Sequence, residues 1–110
     1  MTQAIDIHKA VDYIRDNAKA LAQAKADRIY CEEYRKTLKA QLMQSASSEA
    51  VGAQERDAYA HPDYAAHLLA LKAAVEAEET LRWRMVAAQA RVEVWRSLES
   101  TARAEGRATQ

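Results

Sequence analysis

The side chains that could carry chemistry are scattered along this sequence. Three histidines occur, His8, His61 and His67. A zinc site needs three or four converging ligands. His8 lies far from the other two, and His61 and His67 have only Asp57 and Asp63 nearby. The spacing fits no zinc finger, phosphate-binding loop or hydrolase elbow, so no metal and no cofactor is expected. Glu32–Glu33 and Glu76–Glu78–Glu79 are carboxylate clusters. Paired carboxylates run acid–base chemistry when their surroundings split their pKa values. On a Lys-rich helical surface they read instead as partners of basic residues. Cys31 is the single cysteine and makes no intramolecular disulfide. It reads as a small apolar residue in a helical seam. No residue is expected to be catalytic, and the chain reads as a non-enzyme.

Two basic segments carry more information. Arg35, Lys36 and Lys39 lie in residues 34–44, which hold no acid. Arg82, Arg84, Arg91 and Arg96 surround Trp83 and Trp95, with Glu93 the one acid among them. Cations interleaved with aromatics are what single-stranded nucleic acid needs, the cations for phosphates and the rings for bases. The expected contact surface is Arg82, Trp83, Arg84 and Arg91, extended by Lys36 and Lys39 if the assembly sets them alongside. The competing reading is a solvated helical face whose Arg side chains pair with Glu on a facing helix. Tyr59, His61, Pro62 and Tyr64 form a further cluster, read as a turn whose aromatics cover helix ends at a hairpin tip.

The elements that must position these residues follow from composition. In 110 residues, 16 Lys and Arg balance 16 Asp and Glu, so net charge is zero. That excludes a histone-like basic protein and an acidic mimic of DNA. The length allows one domain at most. Hydrophobic content is 49%, yet 25 of those residues are Ala and only 18 are Leu, Ile or Val. Ala, Gln, Glu, Lys and Arg favour helix, and Ala lets helix axes approach closely. So few large apolar side chains make a poor core for a monomer, and a homo-oligomer, dimer or higher, is expected. No apolar run reaches the ~18 residues that a membrane span needs. Residues 1–20 are too polar for a signal peptide, which points to a cytoplasmic protein.

Two glycines and one proline punctuate the chain. Residues 1–51 and 63–105 contain neither. The pattern predicts a long helix over about 5–44, a linker and short helix over about 45–61, a long helix over about 62–105 and a tail over 106–110. Pro62 suits the first turn of a helix, Asp63 suits its positive end, and Gly106 suits a C-terminal stop. A helix of ~40 residues is ~60 Å long, so the expected fold is all-α: a long antiparallel helical hairpin in an oligomeric bundle. Ile7, Val11, Ile14, Ala18 and Leu21 predict one seam. Leu81, Met85, Ala88, Val92 and Trp95 predict its counterpart. Trp83, Val86, Val94 and Leu98 form a second strip on the last helix, and two strips suggest two helical neighbours. The seams drift, and no long heptad repeat is evident. Folding back at 45–61 would bring Lys25 and Arg28 to Glu76, Glu78 and Glu79, Asp16 to Arg91, Arg15 to Glu93, and Asp6 to Arg103.

The segments 28–43 (RIYCEEYRKTLKAQLM), 54–64 (QERDAYAHPDY) and 81–106 (LRWRMVAAQARVEVWRSLESTARAEG) resemble small helical proteins of tailed phages and prophages. The run around Glu93, Trp95 and Arg96 is the most specific part. Such proteins are encoded near genes for recombination and single-strand DNA handling. The resemblance implies a place in the cytoplasm of a host bacterium and a link to DNA metabolism by neighbourhood. The functional expectation is a non-enzymatic accessory protein of phage DNA recombination or replication. Its partners would be single-stranded DNA, a phage or host recombination protein, or both. Two rivals stand beside it: a module that inhibits a host defence or repair enzyme, and a helical scaffold without a further ligand.

Overall fold

A computed structural model describes residues 4–108. About nine-tenths of them are helical, and no strand occurs among the described residues. The order is α1 (Ile7–Gln44), α2 (Val51–Ala60) and α3 (Pro62–Ala108). The helix starts have local causes. Asp6 caps α1: its carboxylate accepts the Lys9 amide at 3.1 Å, and its carbonyl accepts the Ala10 amide at 3.2 Å. Pro62 opens α3 with no amide to leave unsatisfied. The His61 ring accepts the Asp63 amide through Nδ1 at 3.0 Å, and so supplies a cap. At the end of α1, the Ser45 hydroxyl donates to the Leu42 carbonyl at 3.0 Å. Gly106 does not stop α3, which runs on to Ala108. Its φ is not positive, so no left-handed cap forms there.

The chain divides into two compact units: Met1–Leu21 with Thr80–Gln110, and Ala22–Glu79. In the first unit, Ala10, Met85 and Ala88 are buried. Ile7, Ile14, Asn17 and Leu21 from α1, and Leu81, Val92 and Trp95 from α3, are half-buried beside them. The α3 seam is the one expected from the sequence. The α1 seam is not. Val11 is 47% exposed and Ala18 is exposed, while Ala10 and Asn17 take their places. The larger apolar side chain at Val11 misleads. The small Ala10 can sit in the close contact, and Asn17 is tolerated because its amide donates to the Tyr13 carbonyl at 2.9 Å.

In the second unit the inward positions are Ala24, Arg28, Cys31, Tyr34 and Leu38 on α1, and Tyr64, His67, Leu71, Ala74 and Glu78 on α3. Ala58 of α2 is 1% exposed. Polar groups hold the register. Arg28 bonds Glu78 on α3 and Glu32 on its own helix, the latter at 2.9 Å. Glu78 is 8% exposed. Hydrogen bonding to Glu78, then to Glu32, raises the Arg28 pKa, which keeps the guanidinium charged. His67 Nε2 lies 2.6 Å from the Cys31 carbonyl, and its ring meets Tyr34 edge-on with centroids 5.3 Å apart. These contacts make the α1 and α3 segments of this unit antiparallel.

A heptad is therefore present after all. Inward positions on α3 step by three and four from Tyr64 to Glu78, and again from Leu81 to Trp95. On α1 the same alternation runs from Ile7 to Leu21 and from Ala24 to Cys31. Asn17, Arg28, His67 and Glu78 occupy steps of it, which is why apolar residues alone do not reveal it. A polar residue at such a position fixes register.

Candidate functional site

Arg84 and Arg91 are two helical turns apart on α3, so they project from one face. In the first unit they border a shallow groove with Ala87 and Ala88. Lys9, Ala10 and Tyr13 of α1 form the opposite bank. The α1 heptad places Ala10 at the floor, and Ala87 and Ala88 keep that floor low. Three cations thus line a small apolar trough. None of the three makes an ion pair among the described residues. Asp6 shares an adjoining hollow with Ala4, Ile5, Lys9 and Arg91. Its oxygen is engaged in capping α1.

Helical geometry separates the expected arginines. At 100° per residue, Arg82 points about 200° away from Arg84, and it does not line the groove. Its guanidinium lies over the Trp83 ring, 4.8 Å from the centroid. Trp83 stands between the two flanks and is 57% exposed. Ala87, one turn on from Trp83, leads from the ring to the groove. Trp95 takes a half-buried seam position.

Lys36 and Lys39 belong to the second unit and line a different hollow, with Arg35, Tyr59 and Tyr64. Lys36 pairs with Glu33 at 3.4 Å, and Lys39 with Glu55 at 2.9 Å. The Lys39 ammonium also lies 4.7 Å from the centroid of the Tyr59 ring. Bonding to Tyr59, then to Glu55, raises its pKa. Tyr59 and Tyr64 meet edge to face, with centroids 5.2 Å apart. The sequence sets Lys36 and Lys39 beside the arginines of α3 only if the assembly aligns them, and Tyr59 and Tyr64 at a structural tip. The structure joins the two lysines to the two tyrosines. Lys9 and Tyr13 were missed as groove residues, and the signal that finds them is the α1 heptad.

The expected cross-helix ion pairs divide. Arg28 reaches Glu78 as the fold-back predicts. Arg15 instead pairs with Asp12 at 3.4 Å and Asp16 at 3.0 Å on its own helix, and Glu93 pairs with Arg96 at 3.2 Å. Asp6 lies beside Arg91, not Arg103, which borders a hollow made wholly of α3 residues. No three His, Cys, Asp or Glu side chains converge among the described residues. No helix among them is long and apolar enough to cross a membrane. Compared with protein families, with curated proteins and with solved structures, the chain matches none.

Proposed function

We propose that this chain is a non-enzymatic accessory protein that binds nucleic acid through the groove of Lys9, Arg84 and Arg91. Phage DNA recombination or replication in the host cytoplasm is the setting, as the resemblance of segments 28–43, 54–64 and 81–106 implies. One observation supports the reading most: three cations without carboxylate partners converge on one trough, next to the exposed ring of Trp83. Phosphates supply what the cations lack, and a base can stack on the indole. Zero net charge gives no long-range attraction, so binding should be weak and sensitive to salt. The test is fluorescence anisotropy of a labelled oligothymidylate at ~50 mM salt, where phosphate contacts are least screened. Wild type should bind at micromolar protein, and Arg84→Ala/Arg91→Ala should bind several-fold more weakly. Absence of wild-type binding would overturn the proposal and favour a recombination protein or a host enzyme as partner.

The finer architecture belongs to the same proposal: a helical hairpin assembled as a dimer or higher oligomer. Val86, Val94 and Leu98 lie exposed, on the side of α3 away from Met85 and Val92. Exposed apolar strips of this kind mark contact surfaces. Light scattering should give a mass above the 12.3 kDa of one chain. A stable monomer at micromolar concentration would reject the assembly.

A further inference from the structure

The second unit holds a separate basic and aromatic cleft. Arg35, Lys36 and Lys39 of α1 line it with Tyr59 of α2 and Tyr64 of α3. We propose that this cleft binds a nucleotide unit, with its phosphate against Arg35 and Lys36 and its base in the corner between the two phenol rings.

The geometry carries each part. Tyr59 and Tyr64 stand at 83° to one another. A flat ring entering that corner faces one phenol and meets the edge of the other, and aromatic rings favour both arrangements. Tyr59 is 47% exposed, so a ligand can reach it. Lys39 fixes the Tyr59 ring from within the cleft while Glu55 holds the ammonium. Lys39 is therefore a positioning residue. Arg35 makes no ion pair among the described residues, and its planar guanidinium suits a phosphate. Lys36 has only a loose pair with Glu33, both side chains being exposed. Such a pair is weak and yields readily to a phosphate. Counted together, three cations face the two carboxylates of Glu33 and Glu55, which leaves the cleft positive. An acidic peptide would satisfy the cations but would leave the aromatic corner unused.

A nucleotide unit can arrive free or as part of a strand, and one experiment separates the sources. Backbone amide shifts of the labelled full chain are followed by NMR against thymidine monophosphate, a six-residue oligothymidylate, phenyl phosphate and inorganic phosphate. The proposal expects shifts at Arg35, Lys36, Tyr59 and Tyr64 with the mononucleotide, the oligomer or both. Much tighter binding of the oligomer assigns the strand as source, and equal binding assigns the free nucleotide. Arg35→Ala should weaken binding about tenfold by loss of a charge-assisted bond. Tyr59→Ala should weaken it about tenfold by loss of stacking. Helix content by dichroism should not change in the exposed Arg35→Ala variant. Arg84→Ala/Arg91→Ala should leave these shifts intact, so this cleft and the groove of the first unit fail or stand separately. The proposal is overturned if no ligand shifts these amides, or if inorganic phosphate or phenyl phosphate binds as well as the nucleotides.

Discussion

Replacing Met85 by Ala tests the seam of the first unit. Met85 is 7% exposed and sits at an inward heptad step. The change removes three heavy atoms beyond Cβ. At ~0.8 kcal/mol for each methylene-sized group, the transfer loss is ~2.4 kcal/mol. A cavity adds to this when its walls cannot close, and Met-to-Ala changes span ~2–5 kcal/mol. Here the seam is thin, and no large side chain among the described residues is fully buried. The walls can relax, which puts the loss near ~2–3 kcal/mol. For a domain of this size, 1 kcal/mol moves Tm by ~4–8 °C. Met85→Ala should therefore lower Tm by ~10–15 °C, as followed by dichroism at 222 nm. The control is Val11→Ala, at the exposed position that sequence alone assigns to the seam. It should stay within ~0.5 kcal/mol of wild type. Equal loss in the two variants would refute the seam.

Further outcomes follow from the same geometry. Ala10→Asp puts an unpaired charge at a buried step and should cost ~3–5 kcal/mol in urea unfolding, whereas Val11→Asp should leave the midpoint nearly unchanged. Arg28→Met strips the buried Glu78 of its partner and should lower Tm, and adding Glu78→Leu should recover most of the loss, because an apolar pair can replace a buried ion pair. A double variant no more stable than Arg28→Met would count against the burial of Glu78. Lys39 has a pKa raised above its ordinary 10.5 by Tyr59 and Glu55. Its contribution is fully present below that value and is lost as pH rises through the folded-state value. Stability measured from pH 9 to 11.5 should thus fall more steeply in wild type than in Lys39→Met, and parallel curves would contradict the contact.

Much of the fold was legible because backbone punctuation is a strong signal. Pro62 marks the start of α3 where it should, and the absence of Gly and Pro between residues 63 and 105 leaves nothing to break it. Gly106 was misread because a glycine permits a stop without compelling one. The α3 seam was legible because Leu81, Met85, Val92 and Trp95 are large. The α1 seam was legible only at Ile7, Ile14 and Leu21, since a four-step from Ile7 to Val11 looks more apolar than the three-step to Ala10. Only the partner helix shows that a small residue fits there. Arg28 to Glu78 was legible from opposite charge in a folded-back chain. Arg15 to Glu93 failed because neighbours on the same helix satisfy both residues first. For the candidate site, helical arithmetic already separates Arg82 from Arg84 and Arg91. The meeting of Lys39 with Tyr59 needed the placement of α2, which no spacing rule supplies.

In the proposed function, Lys9, Arg84 and Arg91 touch the phosphates of a single strand. The dependence of oligothymidylate affinity on salt, in wild type and in Arg84→Ala/Arg91→Ala, tests it most directly. Each single-strand phosphate contact adds about −0.7 to the slope of log K against log salt. Three cations predict a slope near −2, which between 50 and 200 mM salt is an affinity loss of about 20-fold. Removing two of them should make the slope shallower by about 1.4. A slope that the double variant leaves unchanged, or a wild type with no measurable binding at 50 mM salt, would contradict the claim.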